Sequence, residues 1–284
     1  MKLSEFVAGA RGRLAAAGLE CADPALHARQ IAQEVLGLDA VRLQLQWDRA
    51  LAPEELLRLE AFLLRRLGGE PFQYICGHED FWDRRFSVGP GVLIPRKETE
   101  HLVEAFLAVV PREGRPRVAE LGAGSGIVGI IALRERPHCE WYAFESSPAA
   151  LAYARSNSRA LLPAGAGYHL READFFEAAG PGPWDWIVAN PPYVPSEDWQ
   201  GLSREVRHEP PSALLAGPHG LDVVKGLAAA GAEWLCPGGG LLVEIDPRQK
   251  YAVLELLASH GYQGNAVTPD LAGLPRVAFG RRPG

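Results

Sequence analysis

No pair of cysteines or histidines in this chain has the spacing of a metal site. Cys21, Cys76, Cys139 and Cys236 stand far apart with no C-x-x-C, and the histidines form no H-E-x-x-H. No metal is expected, and the cysteines read as reduced thiols of a cytosolic protein. Long apolar runs are missing too: none approaches the ~18–20 residues a membrane span requires. Glu5, Arg11 and Arg13 interrupt MKLSEFVAGARGRLAAAG where a signal peptide would be apolar. The expectation is a soluble, cytoplasmic protein with no membrane partner. Nor is there an excess of basic residues. A net charge of −6 argues against a whole-surface grip on nucleic acid phosphates, so no direct nucleic acid partner is expected. What the chain does have is ordinary globular substance. Its 284 residues are 47% hydrophobic and 23% charged, which suffices for two domains with their own cores.

Residues 1–70 read as a small helical bundle. Asp23-Pro24 is a cap with a first-turn proline, and Gly37 closes the helix that follows. In APEELLRLEAFLLRRLGG, Pro53, Glu54 and Glu55 open a helix, Arg65 and Arg66 end it, and Gly68-Gly69 stop it. Leu56, Leu59, Leu63 and Leu67 mark its buried stripe. Residues 71–95, aromatic and β-branched with glycine breaks, read as short strands or a linking hairpin. Thr99 is placed to cap a helix, EHLVEAFLAVV. From there to residue 284, short apolar strands (RVAEL, CEWYAFE, GYHLREA, WDWIVA, GGLLVEI and finally RVAFG) alternate with helical stretches. Alternation of this kind implies a doubly wound, mostly parallel α/β sheet, whose ligand lies beyond the C-terminal strand ends.

Three strand ends offer groups for a nucleoside. RVAELGAGSGIVGI puts Glu120, Gly122, Gly124 and Gly126 directly after the first strand, where glycines permit a sharp turn close to a ligand at a helix N-terminus. Gly124 to Gly129 also spells G-x-G-x-x-G with Glu145 about 20 residues on, the dinucleotide fingerprint. The competing reading is the E/D-x-G-x-G-x-G loop of S-adenosylmethionine (SAM) enzymes, for which Glu120 supplies the acid. Glu145, ending the second strand, suits the two hydroxyls of a ribose. Asp174-Phe175 after the third strand suits an adenine amine and its face.

The fourth strand runs into Asn190-Pro191-Pro192-Tyr193. Two successive prolines hold Asn190 and Pro191 extended and remove backbone donors. The tetrapeptide therefore presents two acceptors, the Asn190 side-chain carbonyl and the Pro191 backbone carbonyl, with the Tyr193 ring beside them. They match a planar NH2 group carrying two hydrogens. Holding both N–H bonds favours the developing charge on nitrogen as it meets an electrophilic methyl. A bare strand terminator, or a P-x-x-P ligand in Pro192-Tyr193-Val194-Pro195, is the alternative.

With QYICGHEDFW, LIPRKETEHLVE, ELGAGSG, NPPY, EPPSALLAG and DLAGLPRVAFGR, the chain resembles the protein-(glutamine-N5) methyltransferases of the HemK/PrmC type over nearly its whole length. The resemblance implies a seven-stranded, Rossmann-like SAM-dependent sheet over residues 96–284. A helical substrate-recognition domain (1–70) and a linking β-hairpin (71–95) would precede it. It implies methylation of the GGQ glutamine of class 1 peptide chain release factors, by a monomer. On matching positions, Glu120, Gly122, Ala123, Gly124, Ser125 and Gly126 would hold SAM with Glu145, Asp174, Phe175 and Asn190. Asn190, Pro191, Pro192 and Tyr193, with Arg96, Thr99 and Glu100, would bind the glutamine, and Asn190, Pro191 and Tyr193 would carry the catalysis. NPPY is shared with adenine-N6 nucleic acid methyltransferases, which stand as the alternative. Glu120 and Glu145 replace the commoner Asp, and VEIDPRQ departs from E-I-G-x-x-Q at Asp246-Pro247.

Overall fold

The computed structural model describes residues 1–19, 23–174, 176 and 182–284, so Cys21 and Phe175 lie outside the described residues. The chain divides into two compact units. One comprises Met1–Gly77 with Leu202–His208, the other His78–Gly201 with Glu209–Gly284.

The first unit is helical: α1 (Leu3–Ala16), α2 (Pro24–Leu36), α3 (Ala40–Leu45), α4 (Pro53–Leu67) and α5 (Phe72–Cys76). Its punctuation is as expected. The Asp23 carboxylate accepts from Ala25 N at 2.8 Å, and Gly37 ends α2 in the left-handed region. Leu59 and Leu63 of α4 are fully buried with Leu3, Phe6, Leu14 and Ile31. Each such side chain contributes on the order of 1.5–3 kcal/mol of apolar burial. The aromatic and β-branched composition of FQYIC suggests a strand, yet this stretch is the helix α5. Packing of Phe72 against Phe62 (ring centroids 5.3 Å apart) and His27 outweighs local propensity. Arg66 is buried here. Its Nε donates to His27 Nε2 at 2.9 Å, one terminal nitrogen to the Glu70 carbonyl at 2.7 Å, and the other pairs with Glu205.

In the second unit, β1 (His78–Phe81) and β2 (Arg84–Ser87) form an antiparallel hairpin. Its turn residues Trp82 and Asp83 both have positive φ. The sheet comprises β3 (Arg117–Leu121), β4 (Glu140–Glu145), β5 (Tyr168–Glu172), β6 (Trp184–Ala189), β7 (Leu235–Glu244), β8 (Gln263–Pro269) and β9 (Pro275–Arg281). The strand order is β5-β4-β3-β6-β7-β9-β8, parallel through β7 and antiparallel beyond. Helices α6 (Glu100–Val109), α7 (Ile127–Glu135), α8 (Pro148–Leu161), α9 (Asp222–Trp234) and α10 (Lys250–Ser259) cover it. Alternate strand residues enter opposite cores. Val118, Trp186, Val188 and Leu242 join one; Ala119, Ile187, Ala189, Leu241 and Val243 join the other. The strand β8 escapes a hydrophobicity reading because it is an edge strand, mostly exposed. β3 lies between β4 and β6, so the winding reverses there and leaves a crevice at the strand ends.

Candidate active site

Gly122, Gly124 and Gly126, just past β3, have φ of 81°, 57° and 84°. Residues with a Cβ rarely adopt that region, so the turn requires glycine. The neighbouring strand holds the loop. The Phe144 carbonyl accepts from Gly122 N (3.0 Å) and Ala123 N (2.9 Å). The Glu145 carboxylate takes Gly124 N with one oxygen and Ser147 N with the other, both at 2.8 Å. Glu145 is buried and lines the adjoining cavity. Each of its oxygens keeps lone-pair capacity for a ligand hydroxyl. Glu120 lies deeper. It accepts from Trp141 Nε1 at 2.7 Å, and burial pushes its carboxyl up to about 8, with that hydrogen bond opposing and Glu145 adding.

The cavity over the crevice measures about 300 Å³. Its lining includes Gly91 to Leu93, Gly122, Gly124, Glu145, Asp174, Phe176, Asn190 and Pro192. Asp174 is exposed and also caps locally, accepting from Phe176 N at 2.8 Å. Phe176 is an aromatic rim residue that the sequence reading passed over in favour of its neighbour. Two narrower cavities, about 40 and 20 Å³, share Leu93 and Asn190 with the large one. The first is bordered by Glu120, Ser125, Arg96 and Thr99, the second by Arg96, Pro191 and Tyr193. Asn190 thus stands where a nucleoside-sized space meets a narrow slot.

The NPPY segment leaves β6 and is pinned along its length. Asn190 Nδ2 donates to Thr99 Oγ1 at 3.1 Å, and Gln249 Nε2 donates to the carbonyls of Tyr193 (3.1 Å) and Gly220 (2.9 Å). Val194 bridges to Leu215, with Val194 N to the Leu214 carbonyl at 2.8 Å. Burial, and secondarily Glu244, raises the Tyr193 phenol well above its ordinary range, so it stays protonated. Arg96 pairs with the buried Glu209, whose other oxygen accepts from Ile94 N at 2.9 Å. Thr99 makes no side-chain cap bond: it ends a 3₁₀ turn, and its hydroxyl faces Asn190 instead. Glu100 points elsewhere, accepting from Trp82 N at 3.1 Å, and lines none of these three cavities.

Several supporting residues carry no local motif. Asn157 on α8 is buried and ties Ser87, at the end of the hairpin, to Ser125 in the glycine loop. The Asp246-Pro247 departure forms a sound turn. The Asp246 carboxylate accepts from Arg248 N at 2.8 Å, and Asp246 N donates to Gln249 Oε1 at 3.2 Å, a capping box. That turn aims Gln249 at Tyr193.

Against known proteins, a model of the methyltransferase small domain matches residues 90–208, and a model of the PrmC N-terminal domain matches residues 5–77. A solved methyltransferase from Pyrococcus furiosus shares the fold. Its TM-score is 0.51 at 16% identity, over 79% of this chain and 98% of that one. A crevice of this kind on a sheet of this order is the workplace of SAM-dependent methyltransferases, and this chain is one. It is 39% identical over 284 residues to the release factor glutamine methyltransferase of Cereibacter sphaeroides, covering 100% of this chain and 99% of that one. It is 40% identical over 270 residues to that of Koribacter versatilis, covering 93% and 95%. The chain belongs to the release factor glutamine methyltransferase family. Among the described residues, no helix is long and apolar enough to cross a membrane.

Proposed function

We propose that this enzyme methylates the side-chain amide nitrogen (N5) of the glutamine in the GGQ motif of class 1 peptide chain release factors, in the cytoplasm. The observation that carries the reading is the placement of Asn190. It stands at the junction of the cavities with its NH2 taken by Thr99, so its carbonyl oxygen is the end left to accept from a substrate amide. The Pro191 carbonyl is the second acceptor, fixed by the rigid NPPY backbone.

The nucleoside half of the site fits SAM. Gly122, Ala123, Gly124, Ser125 and Gly126 cradle its methionine part, with Glu120 supporting the loop from below. Glu145 accepts from the ribose, and Asp174 with the aromatic rim at Phe176 flanks the adenine. When bound, SAM supplies an electrophilic methyl. Asn190 and Pro191 hold the two amide hydrogens, which lets the nitrogen lone pair turn toward that carbon. SAM held there would give up that methyl to the amide nitrogen, its S–C electron pair staying with sulfur, and the N–H proton acidified by the transfer would be lost to water. No strong base is required; orientation and charge stabilisation supply the acceleration. Tyr193 walls the slot, and Arg96, held by Glu209, borders it. The helical unit is assigned to docking the release factor.

Methyl-labelled SAM incubated with the enzyme and either a release factor or adenine-containing DNA tests this. Label on the GGQ glutamine is expected; label on DNA and not on glutamine overturns the reading.

A further inference from the structure

Single apolar side chains scattered over a surface need no explanation. Those of the catalytic unit are not scattered. Among its described residues the exposed large apolar side chains are Phe176, Tyr251, Leu271 and Leu274, and each stands at the C-terminal end of the parallel strands, the end that carries the crevice. Phe176 rims the cavity beyond β5, and Tyr251 lies in the first turn of α10. Leu271 and Leu274 sit in the turn that joins β8 to β9.

The β8–β9 turn is tightly braced. The Asp270 carboxylate accepts from Ala272 N (2.9 Å) and Leu274 N (2.8 Å) with one oxygen, and from Arg276 Nε (2.9 Å) with the other. Asp270 N donates to the Leu274 carbonyl at 2.8 Å, and Gly273 completes the turn at a φ of 81°. On this scaffold Leu271 is 98% exposed. An apolar side chain held out by a braced turn gives up little further freedom on docking. The turn is also tied to the substrate slot. Ile245 N donates to the Arg276 carbonyl at 2.8 Å, and the Asp246 turn that follows aims Gln249 at Tyr193. NPPY follows β6, and β9 and β8 lie two and three strands away, which puts the turn about 10–14 Å from the slot.

Resting on the assignment of the slot to the substrate glutamine, we propose that the β8–β9 turn is a docking point for the release factor, with Leu271 and Leu274 meeting apolar side chains of that partner. A small amide would end inside the slot and gain nothing from a contact so far off. A polypeptide leaving the slot in extended form covers that distance in about three to four residues. Leu271 is therefore a specificity residue for the protein substrate and takes no part in the chemistry.

Steady-state methylation of a release factor by wild type, Leu271→Asp, Leu271→Met and the Leu271→Asp/Leu274→Ser double variant tests this, with sedimentation of each enzyme alone. Leu271→Asp should raise the KM for the release factor by about tenfold or more, and the double variant should raise it further. For both, kcat and the KM for SAM should stay within about twofold of wild type, which also shows that the exposed substitutions leave the fold intact. Leu271→Met, apolar and of similar volume, should recover to within about threefold. An unchanged KM for the release factor in the double variant overturns the docking assignment, as does a fall in kcat with that KM unchanged. A wild-type dimer that Leu271→Asp separates, again with KM unchanged, gives the turn to a second copy of this chain instead. A wild-type enzyme that leaves the GGQ glutamine unlabelled overturns the slot assignment and the docking point with it.

Discussion

Replacing Asn157 by aspartate changes one NH2 to an oxygen and almost nothing in shape. Asn157 Oδ1 accepts from Ser87 N at 2.7 Å, while Nδ2 donates to the carbonyls of Ser87 (3.1 Å) and Ser125 (2.9 Å). Aspartate keeps the first bond and turns the other two into contacts between oxygens, in a buried position. Two lost bonds at roughly 1 kcal/mol each, plus the penalty for a crowded buried carboxylate, give a destabilisation of about 2–4 kcal/mol. Ser125 belongs to the glycine loop, so freeing its carbonyl should also weaken SAM binding by about tenfold, or 1.4 kcal/mol. Urea unfolding followed by tryptophan fluorescence reads the first effect on the right unit, because only Trp47 of the seven tryptophans lies in the helical one. Calorimetric titration with SAM reads the second. An aspartate variant within about 0.5 kcal/mol of wild type and with unchanged SAM affinity would refute the idea that Asn157 anchors the loop.

Asn190→Ala should reduce turnover at least about a hundredfold while leaving SAM affinity nearly unchanged; a large loss of SAM affinity would place Asn190 on the cofactor side. In the helical unit, burial and then Arg66 hold His27 down at about 4 against an ordinary 6.5. Its neutral form is favoured by folding, so the stability it adds is complete above 6.5 and is lost as pH falls toward 4. After discounting for solvent the loss is on the order of 2 kcal/mol, measurable as a shift in the urea midpoint that His27→Gln removes. Gly129→Ala should destabilise by about 1–3 kcal/mol despite alanine's helix preference, as unfolding experiments can check. The added Cβ would lie 2.6 Å from Glu120 Oε2 and collide with Trp141 Nε1.

Much of the site was legible in the sequence because its backbone devices are local. Three alternate glycines, an acid at the next strand end and two consecutive prolines each dictate a turn or a fixed carbonyl without help from the fold. The sheet was legible where both faces are buried, as in WDWIVA, and illegible at exposed β8. Thr99 was misread as a cap because a Thr before an acidic helix start looks like one; only folding brings Asn190 to it. Asn157, Glu209 and Gln249 share the same reason for silence. Each is a single polar residue whose partner lies 20 or more residues away in sequence, and periodicity carries no trace of such pairs.

The short excursion Leu202–His208 has a consequence for how this protein can be taken apart. The polypeptide passes between the two units three times, at residues 77–78, 201–202 and 208–209. Cutting at Gly77 therefore yields no self-sufficient halves. The N-terminal piece would carry Arg66 without Glu205, and the remainder would trail a heptapeptide orphaned from its helices. Any exchange of the helical unit between relatives, in the laboratory or in evolution, has to move two separate stretches of gene together.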